Sequence, residues 1–265
     1  MLTPSKIKYL LLSEMDPDLL NTLDRFEPIS LKEMDEVRLL NRTDTKFVFT
    51  IPELLELLKM SNDSYKVLTI DNQRFSEYKT LYFDTPAYDF FLHHHNGKGN
   101  RYKVRMRKYL GSDLCFLEVK NKRKGRTIKK RILIPDFQEE LDTEKRNFVN
   151  DVIGYPANLT PALWNSFSRI TLVSQELKER LTIDVGLSFS SDGKTKNLPS
   201  IVIAEVKQER VSRDTPLVAN LKRLKIRPTR MSKYCIGCVF LKNQLKHNNF
   251  KEKLLTLDKL SKEWK

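Results

Sequence analysis

A chain of 265 residues and 31.2 kDa with 40% apolar residues can bury a sizeable core, which excludes disorder throughout. Lys and Arg number 48 against 34 Asp and Glu, giving +14 and a pI near 9.6, so the expected partner is a polyanion. With 8 glycines, 11 prolines and no internal repeat, the chain is neither collagen-like nor linker-dominated.

The apolar run Tyr9 to Leu12 is too short for a signal-peptide core, and nothing later approaches a membrane span. Three cysteines, Cys115, Cys235 and Cys238, fit a reducing compartment better than a disulfide framework. The expected location is cytoplasmic, with any membrane contact peripheral at the inner face or made through a separate membrane partner. Leu19, Leu20 and Leu23, then Leu31, Met34, Val37, Leu39 and Leu40, have helical spacing; Ser30 and Glu33 form a capping box for the second helix. Thr43 to Thr50 reads as a strand, and Ile51-Pro52-Glu53 opens a helix through Met60.

The pattern then becomes mostly β. Strands are expected at Tyr65 to Asp71, Tyr78 to Asp84, Tyr102 to Tyr109, Leu114 to Lys120 and Thr127 to Ile134, followed by Phe167 to Gln175, Arg180 to Val185 and Ile201 to Lys207. Helical segments fall at Asn147 to Ile153, Leu217 to Leu224 and from Ser232 to the carboxyl terminus. The pattern predicts one α+β domain over residues 1–265, a curved or closed antiparallel sheet wrapped by helices. N-terminal helices would occupy about 1–41 and a C-terminal helix about 232–265.

Side chains on a strand alternate between faces, and here the two faces differ sharply. Lys103, Arg105 and Arg107 oppose Val104 and Met106, while Phe116, Glu118 and Lys120 oppose Cys115, Leu117 and Val119. Thr127, Lys129 and Arg131 oppose Ile128, Ile132 and Ile134, with Lys130 as the exception on the apolar side. Arg169 opposes Ile170 and Leu172; Arg180, Thr182 and Asp184 oppose Leu181, Ile183 and Val185; Glu205 and Lys207 oppose Ala204 and Val206. The first strand puts Arg42, Asp44 and Lys46 opposite Phe47 and Phe49.

These polar faces carry eleven Lys and Arg against four Asp and Glu. A face that is merely wet mixes Ser, Thr, Gln and both signs of charge, whereas this one is mostly guanidinium and ammonium. Like charges crowded in a closed sheet repel by several kcal/mol per close pair at an effective dielectric of about 20, so such a lumen must hold water and counter-ions. Arginine forks match phosphate oxygens, and the few carboxylates suit Mg²⁺ or Mn²⁺ bridging those phosphates. The expected ligand is a triphosphate or polyphosphate with a divalent metal.

Arg42-Thr43-Asp44-Thr45-Lys46-Phe47, Tyr82-Phe83-Asp84-Thr85, Lys103-Val104-Arg105-Met106-Arg107, Phe116-Leu117-Glu118-Val119-Lys120, Ser168-Arg169, Leu181-Thr182-Ile183-Asp184, Ala204-Glu205-Val206-Lys207 and Ser232-Lys233-Tyr234 occur in this order. From about Asn41 to Phe240 the chain resembles bacterial VTC domains. That family is typified by the polyphosphate polymerase domain of the vacuolar transporter chaperone complex, in the triphosphate tunnel metalloenzyme superfamily.

The resemblance implies a closed antiparallel barrel of about eight strands, the triphosphate tunnel fold, that transfers the γ-phosphoryl group of ATP to a growing inorganic polyphosphate chain. It implies catalytic roles for Lys46, Arg105, Arg107 and Lys233, and phosphate binding by Arg42, Lys103, Lys120, Lys129, Arg131, Arg169 and Lys207. Glu205, with Glu118 next, would ligate Mn²⁺ or Mg²⁺. Hydrolytic tunnel enzymes usually open on a Glu-x-Glu-x-Lys strand; this chain has Arg42-x-Asp44-x-Lys46, which favours transfer over hydrolysis. A tunnel triphosphatase and a non-catalytic polyphosphate or nucleotide binder are the alternatives.

His93-His94-His95 before Asn96-Gly97-Lys98-Gly99-Asn100 reads as a solvated loop. Cys235-Ile236-Gly237-Cys238, without a second pair for zinc, reads as small core residues. Lys122-Arg123-Lys124-Gly125-Arg126 reads as an exposed hairpin turn able to attract a polyanion, and Lys242 to Lys265 as an amphipathic helix. Nucleic acid is the weakest partner, because its readers expose cations among stacking aromatics, and these cations alternate with residues that need cover.

Overall fold

A computed structural model describes residues 16–36, 42–123, 126–176 and 179–262. Tyr9 to Leu12, the expected continuation of the second helix through Val37, Leu39 and Leu40, Lys124-Gly125 of the basic cluster, and Trp264 lie outside the described residues. Two units are distinguished. One comprises residues up to Phe75 with Arg169–Gly186 and Ser200–Arg230; the other comprises Ser76–Ser168, Leu187–Pro199 and Met231 onward.

In the first unit, Asp16 caps α1 (Pro17–Leu23) by accepting from the Asp18 amide at 2.9 Å. Strand β1 (Glu27–Ile29) pairs in parallel with β3 (Tyr65–Leu68). Ser30 and Glu33 form the expected reciprocal cap of α2 (Leu31–Glu36): the Ser30 amide donates to the Glu33 carboxylate at 2.9 Å and the Glu33 amide to Ser30 Oγ at 3.3 Å. Strand β2 (Thr43–Thr50) runs into α3 (Ile51–Lys59), where the Thr50 amide and hydroxyl donate to Glu53 at 2.7 and 2.8 Å.

The amphipathic α3 buries Leu54, Leu57 and Leu58 at spacings that share one helix face. They join a core with Phe47 and Phe49 of β2, Ile170 and Leu172 of β8 (Thr160–Ser174), Leu181 and Ile183 of β9 (Glu179–Ser191), and Val202, Ala204 and Val206 of β11 (Ile201–Gln208). Leu217 and Leu221 of α6 (Pro216–Arg223) pack into the same core. Glu179 ties three of these elements together, accepting from Tyr65 at 2.6 Å, from Thr215 at 2.9 Å and from Gln208.

In the second unit, β4 (Ser76–Asp84), β5 (Arg101–Tyr109), β6 (Leu114–Arg123) and β7 (Arg126–Ile134) form an antiparallel meander. Leu81, Phe83, Val104, Met106, Leu117 and Val119 turn to an apolar cluster completed by Phe90 of α4 (Asp89–His95) and Val149 and Ile153 of α5 (Thr143–Ile153). The end of β9 folds back as a hairpin on β10 (Lys194–Leu198). Asp192 and Gly193 at its tip have φ of 51° and 72°, the twist a two-residue hairpin turn requires.

Ser232 caps α7 (Lys233–Leu241). That helix lies so close to its neighbours that a Cβ on Gly237 would stand 2.5 Å from Leu163 Cδ2 and 2.6 Å from Phe189 Cδ1. Cys235 and Cys238 are fully buried here, as expected of small core residues.

Across the described ladders, hydrogen-bonded neighbours follow the order β2, β11, β9, β8, β4, β5, β6, β7, the expected α+β class with eight principal strands. Three expectations need correction. His93-His94-His95 is the last turn of α4, and His95 is only 4% exposed, because Phe90 and Phe91 drive this segment into the core. The carboxyl-terminal stretch is α7, a 3₁₀ turn (Asn248–Phe250) and α8 (Lys251–Lys262) in succession. Ile128, assigned to a covered apolar face, is 56% exposed, and Lys130 beside it is also exposed, on the strand that ends the ladder order.

Candidate functional site

Each unit carries one polar sheet face built by strand register. In the first unit, Glu205 of β11 stands opposite Lys46 of β2 and Thr182 of β9, and Lys207 stands opposite Asp44 and Arg180. The Glu205 carboxylate accepts from Lys46 Nζ and Lys207 Nζ, both at 2.8 Å, and Lys207 also donates to Thr182 Oγ1 at 2.8 Å. Burial alone would raise the Glu205 carboxyl, but the two lysines hold it well below the usual carboxylate range. Lys207 is held below its ordinary value by burial and by Arg169, against the opposing pull of Glu205.

Arg169 of β8 forms a two-pronged pair with Asp184, Nε to Oδ1 at 2.6 Å and Nη2 to Oδ2 at 2.8 Å. Arg42 reaches Asp44 at 3.1 Å with both side chains well exposed. Arg180, expected on the charged face, sends its guanidinium to the Met34 carbonyl at 2.9 Å, so part of its donor capacity serves the fold.

In the second unit, four strands bring Thr80 opposite Arg107, Tyr82 opposite Arg105, Lys103 opposite Lys120, Arg105 opposite Glu118, Glu118 opposite Arg131, and Lys120 opposite Lys129. Arg105 and Arg107 are each 7% exposed and Glu118 is 1% exposed. Arg105 donates to Glu118 Oε2 through Nε at 2.7 Å and Nη2 at 2.6 Å, and Lys129 Nζ donates to Glu118 Oε1 at 3.0 Å. Burial would raise the Glu118 carboxyl, yet Arg105, Arg107 and Lys129 keep it far below the usual range.

Lys120 shows the opposite effect: Arg105 foremost, then burial and Arg107, hold its ammonium well below the ordinary lysine value. Lys103 Nζ donates to Ser232 Oγ at 3.1 Å, and Lys233, one residue on, places its Nζ 4.3 Å from the Phe167 ring. Arg131 is exposed and stacks over Phe116 at 4.4 Å.

Of the residues singled out from sequence, Arg42, Lys46, Arg169, Glu205 and Lys207 fall in the first unit's face. Lys103, Arg105, Arg107, Glu118, Lys120, Lys129, Arg131 and Lys233 belong to the second. Tyr78, Thr80 and Tyr82 lie on the same face of β4, but the alternation of charge does not mark them. Arg107 donates to Thr80 Oγ1 at 3.3 Å, and the buried Tyr82 phenol, which burial would push up, is drawn down by Arg105, Arg107 and Lys103. Asp84, in the Tyr82-Phe83-Asp84-Thr85 motif, serves the fold. It accepts from the amides of Thr85, Phe90 and Phe91 at 2.8 to 2.9 Å, and from Tyr234.

The carboxylates do not by themselves make a metal centre. Both oxygens of Glu118, Glu205 and Asp184 already accept from cations, and among the described residues no three His, Cys, Asp or Glu side chains are grouped to hold a metal ion. A divalent cation would need further oxygens from outside the protein, such as those of a bound polyphosphate.

The fold matches that of HpAC1 from Hippeastrum, described as a candidate adenylyl cyclase with a dominant triphosphatase activity. The TM-score is 0.50 at 16% identity, over 75% of this chain and 95% of that one. The PH1819 protein from Pyrococcus horikoshii OT3 matches at a TM-score of 0.44 and 12% identity over 75% and 96% of the two chains. A Vibrio parahaemolyticus protein named as a candidate adenylate cyclase matches at 0.42 and 11% over 71% and 94%. No curated protein sequence matches. The likeness to HpAC1 is one of fold. The VTC domain model matches residues 41–242, and the chain belongs to the VTC domain family.

Proposed function

We propose that the protein is a polyphosphate polymerase that transfers the γ-phosphoryl group of ATP to the end of an inorganic polyphosphate chain. The observation that carries this reading is the second unit's face, where the register gathers Lys103, Arg105, Arg107, Lys120, Lys129 and Arg131 around Glu118, with Lys233 in the same unit. Such an excess suits a ligand with many anionic oxygens. In the first unit, Lys46, Arg169 and Lys207 supply further phosphate contacts, and Arg42 a more exposed one.

Phosphoryl transfer asks mainly for in-line alignment and neutralisation of the equatorial oxygens. A terminal oxygen of the acceptor chain attacks the γ-phosphorus, the bond from that phosphorus to the bridging oxygen breaks, and ADP leaves. The acceptor is already an anion, so no general base is required. Arg105 and Arg107 neutralise the transferred group on this reading, while Lys46 and Lys233 align donor and acceptor. Mn²⁺ or Mg²⁺ would enter with the phosphate ligand and offset its charge, with Glu205 or Glu118 as the carboxylate on the protein side.

Hydrolysis is the second reading, supported by the triphosphatase activity described for HpAC1. The Arg42-x-Asp44-x-Lys46 strand, with Asp44 paired to Arg42 and Lys46 to Glu205, gives it less support, because no carboxylate there stands ready to activate water.

Incubation with ATP and Mn²⁺ or Mg²⁺, with products resolved on a gel, separates the readings. Long phosphate chains support the polymerase, orthophosphate alone the triphosphatase, and unchanged ATP a binding module. Arg107→Ala and Lys46→Ala are each expected to abolish turnover while the far-ultraviolet spectrum is retained; turnover surviving both removes these residues from the site.

A further inference from the structure

The first unit carries a second cationic feature, away from the residues of its sheet face. Lys222, Arg223, Lys225, Arg227 and Arg230 crowd into one short segment and all are exposed, while no Asp or Glu occurs from Thr215 through Lys251. Lys66 and Arg74 of the same unit reach Glu27 and Asp24 at 3.2 and 3.3 Å. Among the described residues, none of the five side chains makes an ion pair or hydrogen bond.

The backbone holds this segment in place. The Ile226 amide donates to the Leu221 carbonyl at 2.9 Å and the Lys225 amide to the Lys222 carbonyl at 3.0 Å, closing α6 with Lys225 at φ 60°, where glycine is the usual residue. Farther on, Pro228 bridges Phe47 and the Thr229 amide donates to the Lys46 carbonyl at 2.7 Å, so the segment continues along β2, the strand that brings Lys46 to Glu205. Lys222 and Arg223 complement the dipole at the end of α6, but Lys225, Arg227 and Arg230 lie past it and have no such role.

Charge of one sign with no apolar centre restricts what can settle here. A membrane-binding segment presents side chains able to enter lipid, and a protein interface has an apolar middle. Here Leu221 and Ile226 join the core and Leu224 packs against it, so the outward surface is left to the cations. A flexible inorganic polyanion asks for nothing else. We infer that Lys222, Arg223, Lys225, Arg227 and Arg230 form an exterior track for the length of a polyphosphate chain, so that affinity rises with chain length. The inference rests on the phosphate-binding reading above and adds to it a separate surface, which a triphosphate bound at the sheet faces does not need.

The test is calorimetric binding of tripolyphosphate and of long-chain polyphosphate to the full chain, unaltered and with Lys222, Arg223, Lys225, Arg227 and Arg230 all changed to Gln. The variant should raise Kd for the long chain by about tenfold or more and for tripolyphosphate by less than about twofold, and should flatten the slope of log Kd against log salt by about 3, at about 0.7 per phosphate contact of a flexible strand. A control with five scattered exposed lysines, Lys32, Lys59, Lys98, Lys194 and Lys251, changed to Gln removes the same charge and should leave long-chain binding within about twofold. Equal weakening of both ligands, no change in either, or an equal loss in the control overturns the track and leaves the phosphate-binding faces standing. Phosphatidylserine vesicles bound by the unaltered chain and released by the variant, with long-chain affinity retained, would assign the segment to a membrane and overturn the track as well. Failure of the unaltered chain to bind either phosphate refutes the phosphate reading, and the track with it.

Discussion

The two charged faces solve one electrostatic problem in different ways. In the first unit, Arg42, Lys46, Arg169, Arg180 and Lys207 are set against Asp44, Asp184 and Glu205, and each carboxylate has a cation within 3.1 Å. In the second, Glu118 pairs with Arg105 and Lys129, and it is the more deeply buried carboxylate, at 1% side-chain exposure against 22% for Glu205. The first face is close to internally neutral and gives up existing pairs to take an anion. The second carries six strand cations around Glu118, so it favours an entering anion.

The largest expected effect breaks the second face. Glu118→Gln removes the carboxylate shared by Arg105 and Lys129 and leaves the buried Arg105 guanidinium without its counter-charge, which should cost about 3–5 kcal/mol in urea unfolding. Tripolyphosphate, by occupying the vacated charge position, should stabilise this variant more than the unaltered chain. Equal stabilisation of both would show that Glu118 does not stand where the ligand's charge goes.

Next comes Gly237→Ala in α7, the helix that carries Lys233. Overpacking against Leu163 and Phe189 should cost about 2 kcal/mol, measured the same way, without altering the charge balance. Glu205→Gln should cost less, about 1.5 kcal/mol, because Lys46 can turn toward solvent when its partner is lost. Asp44→Ala, at a well-exposed pair, should cost under about 0.5 kcal/mol.

The pH response sharpens the same contrast. Glu118 is held below the usual carboxylate range, so its contribution is complete above that range and is lost as pH falls through its folded value. Lys120 is held below the ordinary lysine value. Between the two values the unfolded chain binds a proton that the folded chain does not, and stability therefore rises with pH. Urea midpoints across the alkaline range should show this slope, and Lys120→Gln should flatten it. An unchanged slope in that variant assigns it to another group.

The charged faces were legible because strand period two separates them without any knowledge of pairing: Lys103, Arg105 and Arg107 must share a side wherever β5 lies. Partners were not legible, since Glu118 meets Arg105 and Lys129 only through registers that single strands do not encode. The residues missed on β4, Tyr78, Thr80 and Tyr82, obey the same alternation but carry no charge to mark it. The β9–β10 hairpin was announced by Asp192-Gly193, yet Lys194 to Leu198 lacks the apolar alternation that identifies a strand. At His93-His94-His95, the following Asn96-Gly97 is a true helix-end signal, and the helix before it is anchored by the burial of Phe90 and Phe91, which the local sequence does not mark.

The excess of cations on the strands of the second face has a practical corollary for anyone handling the protein. A cationic surface with so little built-in compensation will recruit whatever small multivalent anion the surroundings offer, so sulfate, citrate or orthophosphate in a buffer becomes a competitor and not a spectator. Material prepared without them should carry cellular polyanions through purification, and its apparent affinity for any added nucleotide will depend on what was left behind.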